Sequence, residues 1–279
     1  MNYYELRVQF TDFSSWNDII VAYLAELNFE SFQEEAPVVC AYIPAPDFDA
    51  VAIQQLMKQL NAEAQVVASY DLQLMPQQNW NAEWESQFEP VVIDERLRIV
   101  APFHQLPATT GLEIVIEPKM SFGTGHHQTT HLICKTMFDL SLTGKTILDM
   151  GSGTGVLAIL AEQLGAASVV AIDIEEWSAE NIVENAQRNQ CSRIQAIFGG
   201  EETIPNTRFD CILANINKNV LLAQLPRYAA VAKTAADLLL SGFFVADVPE
   251  LIVAAEAVGF TFKQQHALEN WAVLHFLKK

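Results

Sequence analysis

The sequence predicts two domains in series: a small α+β domain, then a larger α/β domain built on a parallel sheet. Three observations carry that reading. The apolar patterning of the first 75 residues runs strand, helix, strand, strand, helix, strand. From residue 120 helices alternate with short apolar strands, the mark of a parallel sheet. A glycine-rich turn, "LDMGSGTGVLAI", joins the first of those strands to its helix.

The elements follow in order. "YYELRVQF" alternates and is rich in β-formers, so it reads as a strand. "SSWNDIIVAYLAELNFE" offers Ser14 or Ser15 as an N-cap, with Ile19, Ile20, Tyr23, Leu24 and Leu27 at helical spacing. "SFQEEA" and "VVCAYIP" are two short strands, "DFDAVAIQQLMKQLNAE" a helix capped by Asp47, and "QVVASYDLQL" a closing strand. This is the split βαβ, ferredoxin-like order. Residues 1–75 carry no catalytic cluster and read as a recognition module. Residues 76–119 read as a linker with connecting strands, "RLRIVAPF" and "LEIVIEP"; within it Trp80, Trp84 and Phe88 recur at helical spacing. Residues 120–279 form the α/β domain, with strands at "TILDM", "SVVAIDI", "IQAIFG", "FDCILANI" and "LLLSGFFVADV" and a terminal antiparallel pair in "FTFKQQHALENWAVLHFLKK".

Composition narrows the function classes. The net charge is −18, and residues 1–75 hold 11 acidic against two basic residues. Such a surface repels nucleic acid and would attract a basic protein, although on charge alone simple solubility is the favoured reading. No apolar run is long enough for a membrane helix, and the first residues lack the basic and apolar regions of a secretory signal. The four cysteines, Cys40, Cys134, Cys191 and Cys211, have no metal-site spacing and suit reduced thiols. We therefore expect a cytoplasmic protein and a monomer, without direct nucleic-acid or membrane partners.

The glycine turn indicates the ligand. Gly151, Gly153 and Gly155 let backbone approach a small molecule at a helix N-terminus. The spacing is neither the dinucleotide fingerprint nor the P-loop. Asp149 places a negative charge beside the turn, which repels a pyrophosphate and suits an ammonium, directly or through water. Asp173 ends the next strand, where a carboxylate can accept both ribose hydroxyls. Together Asp149 and Asp173 suggest a ligand with a ribose at one end and an amino group at the other, and S-adenosylmethionine has both. Asn215 ends the fourth strand, over the same sheet edge.

In that order and at those separations, "EPKMSFGTGHHQTTH", "ILDMGSGTGVLAI", "AIDIE" and "ANIN" resemble the PrmA family, methyltransferases of the eleventh protein of the large ribosomal subunit. The resemblance covers most of the chain. It implies a class I, Rossmann-like methyltransferase domain preceded by a ferredoxin-like substrate-recognition domain. It further implies that Thr130, Gly151, Asp173 and Asn215 contact S-adenosylmethionine, with Gly153 joining through its backbone. The chain departs from the family's usual motifs in having His126 for Thr, Gln128 for Pro, Ser152 and Thr154 in the glycine turn, and Asn217-Lys218 after Ile216. The implied reaction is direct displacement by a neutral amine, a lysine side chain or an N-terminal α-amine, leaving S-adenosylhomocysteine. No residue identifies itself as a general base.

Other readings stand beside this one: a class I methyltransferase acting on another protein or a small amine, and a non-catalytic or NAD-binding protein on the same sheet. The three histidines of "SFGTGHHQTTH" invite a metal reading, but no acid or cysteine accompanies them. We read the stretch as a flap over the cofactor, with the role of His127 left open.

Overall fold

The computed structural model describes residues 1–76, 85, 87–119 and 122–279, with the side chains of residues 63, 64 and 68 left out. Trp80 and Trp84 therefore lie outside the described residues. The chain forms two compact units, Met1–Gln87 and Phe88–Lys279.

In the first unit, β1 (Tyr3–Phe10), β2 (Ser31–Glu35), β3 (Val38–Pro44) and β4 (Val67–Met75) form an antiparallel sheet in the order β2-β3-β1-β4. Leu6, Val8 and Phe10 alternate inward along β1 and meet Ile20 and Leu24 of α1 (Phe13–Glu26) and Ile53, Met57 and Leu60 of α2 (Ala50–Ala64). The topology is the expected split βαβ. Both helix starts differ from the sequence expectation. The N-cap of α1 is Asp12, which accepts from the Ser14 hydroxyl at 3.1 Å. The N-cap of α2 is Asp49, accepting from Val51 N at 2.8 Å and Ala52 N at 3.2 Å, while Asp47 sits in a preceding 3-10 turn. Two cap-forming residues close together leave the choice to the chain's path, which local pattern does not encode.

The second unit begins with a small sheet of β5 (Val91–Ile93), β6 (Leu97–Val100) and β7 (Leu112–Val115), so residues 88–119 fold with the α/β body rather than standing apart as a linker. Their apolar residues explain this: Ile93, Leu97, Ile99 and Ile114 are all in its core. The main sheet has the order β10-β9-β8-β11-β12-β14-β13. Its strands are β8 (Thr146–Met150), β9 (Ser168–Asp173), β10 (Ile194–Phe198), β11 (Phe209–Asn215), β12 (Ala232–Phe244), β13 (Phe260–Leu268) and β14 (Trp271–Lys278). β8 to β12 pair in parallel, and β14 enters antiparallel between β12 and β13. The helices are α3 (Gln128–Met137), α4 (Val156–Gln163), α5 (Glu176–Arg188), α6 (Lys218–Val231) and α7 (Val248–Ala257).

Both faces of this sheet are covered, so its central strands read as continuous apolar runs. Ile147 and Leu213 join one core cluster, and their neighbours Leu148 and Ile212 join the other. Because β8 is flanked by β9 on one side and β11 on the other, the strand order reverses there. The carboxyl ends of strands beside such a reversal leave a crevice that a ligand can enter.

Candidate active site

The crevice holds a cavity of about 570 Å³, in the range of small-molecule sites. Its floor is the glycine turn. Gly151 and Gly153 have φ of +71° and +57°. A Cβ on Gly151 would lie 2.1 Å from Ile216 Cγ2, and one on Gly153 would lie 2.1 Å from Phe122 O. The turn is therefore closed to side chains from both sides, and its backbone is bared toward the cavity.

Asp173, at the end of β9, lines the cavity and is tied to this turn. Its Oδ2 accepts from Gly153 N at 2.8 Å, and its Oδ1 accepts from Glu175 N at 3.0 Å. Each carboxylate oxygen has a second lone pair, so both remain able to accept a hydroxyl. Asn215, at the end of β11, donates from Nδ2 to Thr130 Oγ1 at 3.4 Å. Its Oδ1 is buried without a hydrogen-bond partner in the protein. An unpaired buried acceptor costs about 1–3 kcal/mol, so it marks a place where a donor belongs.

Of the five candidate contact residues, Gly151, Gly153, Asp173 and Asn215 come together on the cavity wall. Thr130 does not line it. It is fully buried behind Asn215, where its hydroxyl holds the amide, and Thr129 lines the cavity instead. Helix α3 is capped by His127, and this sets the phase of both threonines. Asp149 also differs from expectation. It lies under the turn, 0% exposed, with Oδ2 accepting from the Ser152 hydroxyl and Oδ1 unpaired. Burial, reinforced by the charge of Asp173 and opposed by the Ser152 hydrogen bond, pushes its carboxyl up to about 7.

The histidines of the flap go separate ways. His127 Nδ1 accepts from Thr129 N at 3.2 Å, and burial holds the ring below its ordinary pKa, so it is neutral with its proton on Nε2. His126 Nε2 donates to Glu89 O at 2.8 Å. Among the described residues no group of three His, Cys, Asp or Glu side chains is placed to hold a metal ion.

Sequence reasoning missed several wall residues. Ile174, Glu175 and Trp177 follow Asp173 directly, and their proximity was available from the strand end alone. Phe122 and His127 add a second wall, their rings 5.2 Å apart, and Trp271 of β14 lies 4.6 Å from His127. Nothing local marks Trp271, because the insertion of β14 beside β12 brings it there.

A glycine floor that excludes side chains, a carboxylate at the second strand end and an unpaired amide oxygen at the fourth fit S-adenosylmethionine. This fold and site define a class I, S-adenosylmethionine-dependent methyltransferase. Comparison with known proteins narrows the class. Residues 11–279 match the family described as ribosomal protein L11 methyltransferase (PrmA), and the chain belongs to that family. The ribosomal protein L11 methyltransferase of Porphyromonas gingivalis is 41% identical over 261 residues, 93% of this chain and 90% of that one. The protein of the same name from Chlorobaculum tepidum is 37% identical over 260 residues, 91% of this chain and 90% of its own. A crystal structure of ribosomal protein L11 methylase from Lactobacillus delbrueckii subsp. bulgaricus superposes with a TM-score of 0.64 at 27% identity, covering 69% of this chain and all of that one.

Proposed function

We propose that this protein transfers methyl groups from S-adenosylmethionine to amino groups of ribosomal protein L11, lysine side chains or the N-terminal α-amine. Family membership supports the substrate, and the unpaired Oδ1 of Asn215 is the observation that carries the chemistry. When bound, the donor supplies an electrophilic methyl on a sulfonium. Gly151 and Gly153 offer backbone to it, and Asp173 accepts its ribose hydroxyls. Asn215 Oδ1 accepts an N–H of the substrate amine and turns the nitrogen lone pair toward the methyl. Thr130 accepts from Asn215 Nδ2 and so fixes the orientation of the amide.

The work is alignment and exclusion of water, with no proton acceptor required of the protein. His127 does not fill that role, since its Nδ1 already accepts a hydrogen bond and its Nε2 carries a proton. A free lysine is neutral in only about one molecule in a few thousand at pH 7, whereas an α-amine is neutral in roughly one in ten. An apolar wall of Phe122, Trp271 and Ile216 disfavours the charged form of either.

The first unit serves recognition in this reading. Its acidic excess, 11 acids to two bases over residues 1–75, complements a basic ribosomal protein. A monomer in the cytoplasm, acting without nucleic acid or membrane, completes the proposal; among the described residues no helix is long and apolar enough to cross a membrane. The test is incubation of purified ribosomal protein L11 and a panel of other ribosomal proteins with isotopically labelled donor. Label confined to L11 supports the assignment, and an unlabelled L11 beside a labelled neighbour refutes it.

A further inference from the structure

Thr154 lines no part of the cavity, yet it binds the flap to the glycine turn. The residue is 0% exposed. Its N–H donates to Phe122 O at 2.9 Å, and its hydroxyl donates to Gly123 O at 2.7 Å, so one residue holds two consecutive flap carbonyls. Its own carbonyl accepts from Asn185 Nδ2 at 2.9 Å. Asn185, fully buried on α5, also accepts from Glu117 N at 2.9 Å through Oδ1. Asn185 of α5 thus holds both Thr154 and Glu117, two residues beyond β7.

The contact leaves no slack. A Cβ on Gly153 would lie 2.1 Å from Phe122 O, and one on Gly123 would lie 3.0 Å from Thr154 Oγ1. Backbone therefore lies directly on backbone. Phe122, next to this attachment, is 58% exposed and forms part of the cavity wall with His127. A ligand on the glycine floor leaves the cavity more easily when that wall lifts.

We propose that Thr154 is a positioning residue whose hydroxyl latches residues 122–123 onto the glycine turn and sets how fast the methyl donor and its product exchange. Removing the hydroxyl leaves Gly123 O without its donor only while the flap is down, which shifts the population toward the lifted state. The proposal rests on the methyl-donor site and not on the identity of the methyl acceptor, so it is testable with S-adenosylhomocysteine alone.

The experiment is stopped-flow dissociation of S-adenosylhomocysteine, read by tryptophan fluorescence, since Trp177 and Trp271 line the cavity. Wild type, Thr154→Val and Thr154→Ser are compared. Valine is close to isosteric and keeps the backbone N–H, so only the hydroxyl donor is lost. The expected result is release about tenfold faster in Thr154→Val, equivalent to about 1.4 kcal/mol. Thr154→Ser releases at nearly the wild-type rate. Thr154→Ala supplies the same comparison if the valine variant does not fold. Wild-type release from Thr154→Val, or a serine variant as fast as the valine one, overturns the latch. A wild-type protein that fails to bind S-adenosylhomocysteine overturns the donor site itself.

Discussion

Asp149 makes the ligand-free protein less stable as the pH rises, and replacing it with asparagine removes that dependence. Its carboxyl is raised from an ordinary 3.8 to about 7 by burial. The native state therefore holds this proton more tightly than the unfolded chain does. The cost of ionising it in place begins above pH 3.8, grows until about pH 7 and is constant beyond. A shift of this size corresponds to roughly 4 kcal/mol in full, of which about 2–3 kcal/mol accrues between pH 5 and pH 8. The Asp149→Asn variant carries no charge at this position, and its side-chain carbonyl can still accept from the Ser152 hydroxyl. The assay is scanning calorimetry of the full-length ligand-free protein, following the transition of the larger unit from pH 5 to pH 8. Wild type loses stability relative to Asp149→Asn across that range, and the two converge toward acid. Parallel curves, with the variant losing as much stability between pH 5 and pH 8 as wild type, would refute the buried, proton-holding carboxyl.

Further expectations concern single contacts. Asn215→Ala removes the amide that orients the amine and lowers kcat by about two orders of magnitude in a steady-state methyl-transfer assay. Gly153→Ala drives a Cβ to within 2.1 Å of Phe122 O at a positive φ of +57°, so calorimetric titration shows affinity for S-adenosylhomocysteine falling at least about tenfold. Asp173→Ala loses the acceptor of Gly153 N and Glu175 N together with the ribose contacts, and binding falls by about a hundredfold or more in the same titration. Far from the cavity, Asp237 accepts from Lys145 Nζ at 2.8 Å and His275 Nε2 at 2.9 Å; burial opposes its ionisation, but these bonds hold its carboxyl below the usual value. Asp237→Ala costs about 3–5 kcal/mol in urea unfolding at pH 7. The wild-type contribution is complete above pH 3.8 and is lost as the pH falls through the lowered native value.

The parts of the site that could be read from sequence are those fixed by short-range rules. A glycine turn between an apolar strand and a helix, a carboxylate at the end of the next strand and an amide at the end of the fourth must share one edge of a parallel sheet. What the sequence left open depends on three-dimensional cover. Asp149 and Ile147 alternate onto one face of β8, and only the packing of α4 over that face decides that the carboxylate is sealed from the cavity. Thr129 rather than Thr130 lines the cavity because His127 caps α3 and so sets the phase of the helix. Asp49 takes the place expected of Asp47 at the start of α2 because its carboxylate accepts from Val51 N and Ala52 N, while Asp47 lies in the preceding 3-10 turn. Trp271 reaches the cavity from 120 residues beyond Gly151 through the antiparallel insertion of β14, which no local pattern records. The segment from residue 88 to 119 joins the larger unit because its alternate apolar residues find a place in that core.

We propose that this chain methylates amines of ribosomal protein L11 at the cavity bounded by Asn215 and the glycine turn. Intact-mass spectrometry of purified L11 after incubation with S-adenosylmethionine tests it directly, with wild-type protein and Asn215→Ala run side by side. Whole methyl increments on L11 are predicted with wild type, mapping to amino groups on digestion, and increments that appear far more slowly with the variant. An L11 whose mass does not change with wild type, or changes equally fast with Asn215→Ala, contradicts the claim.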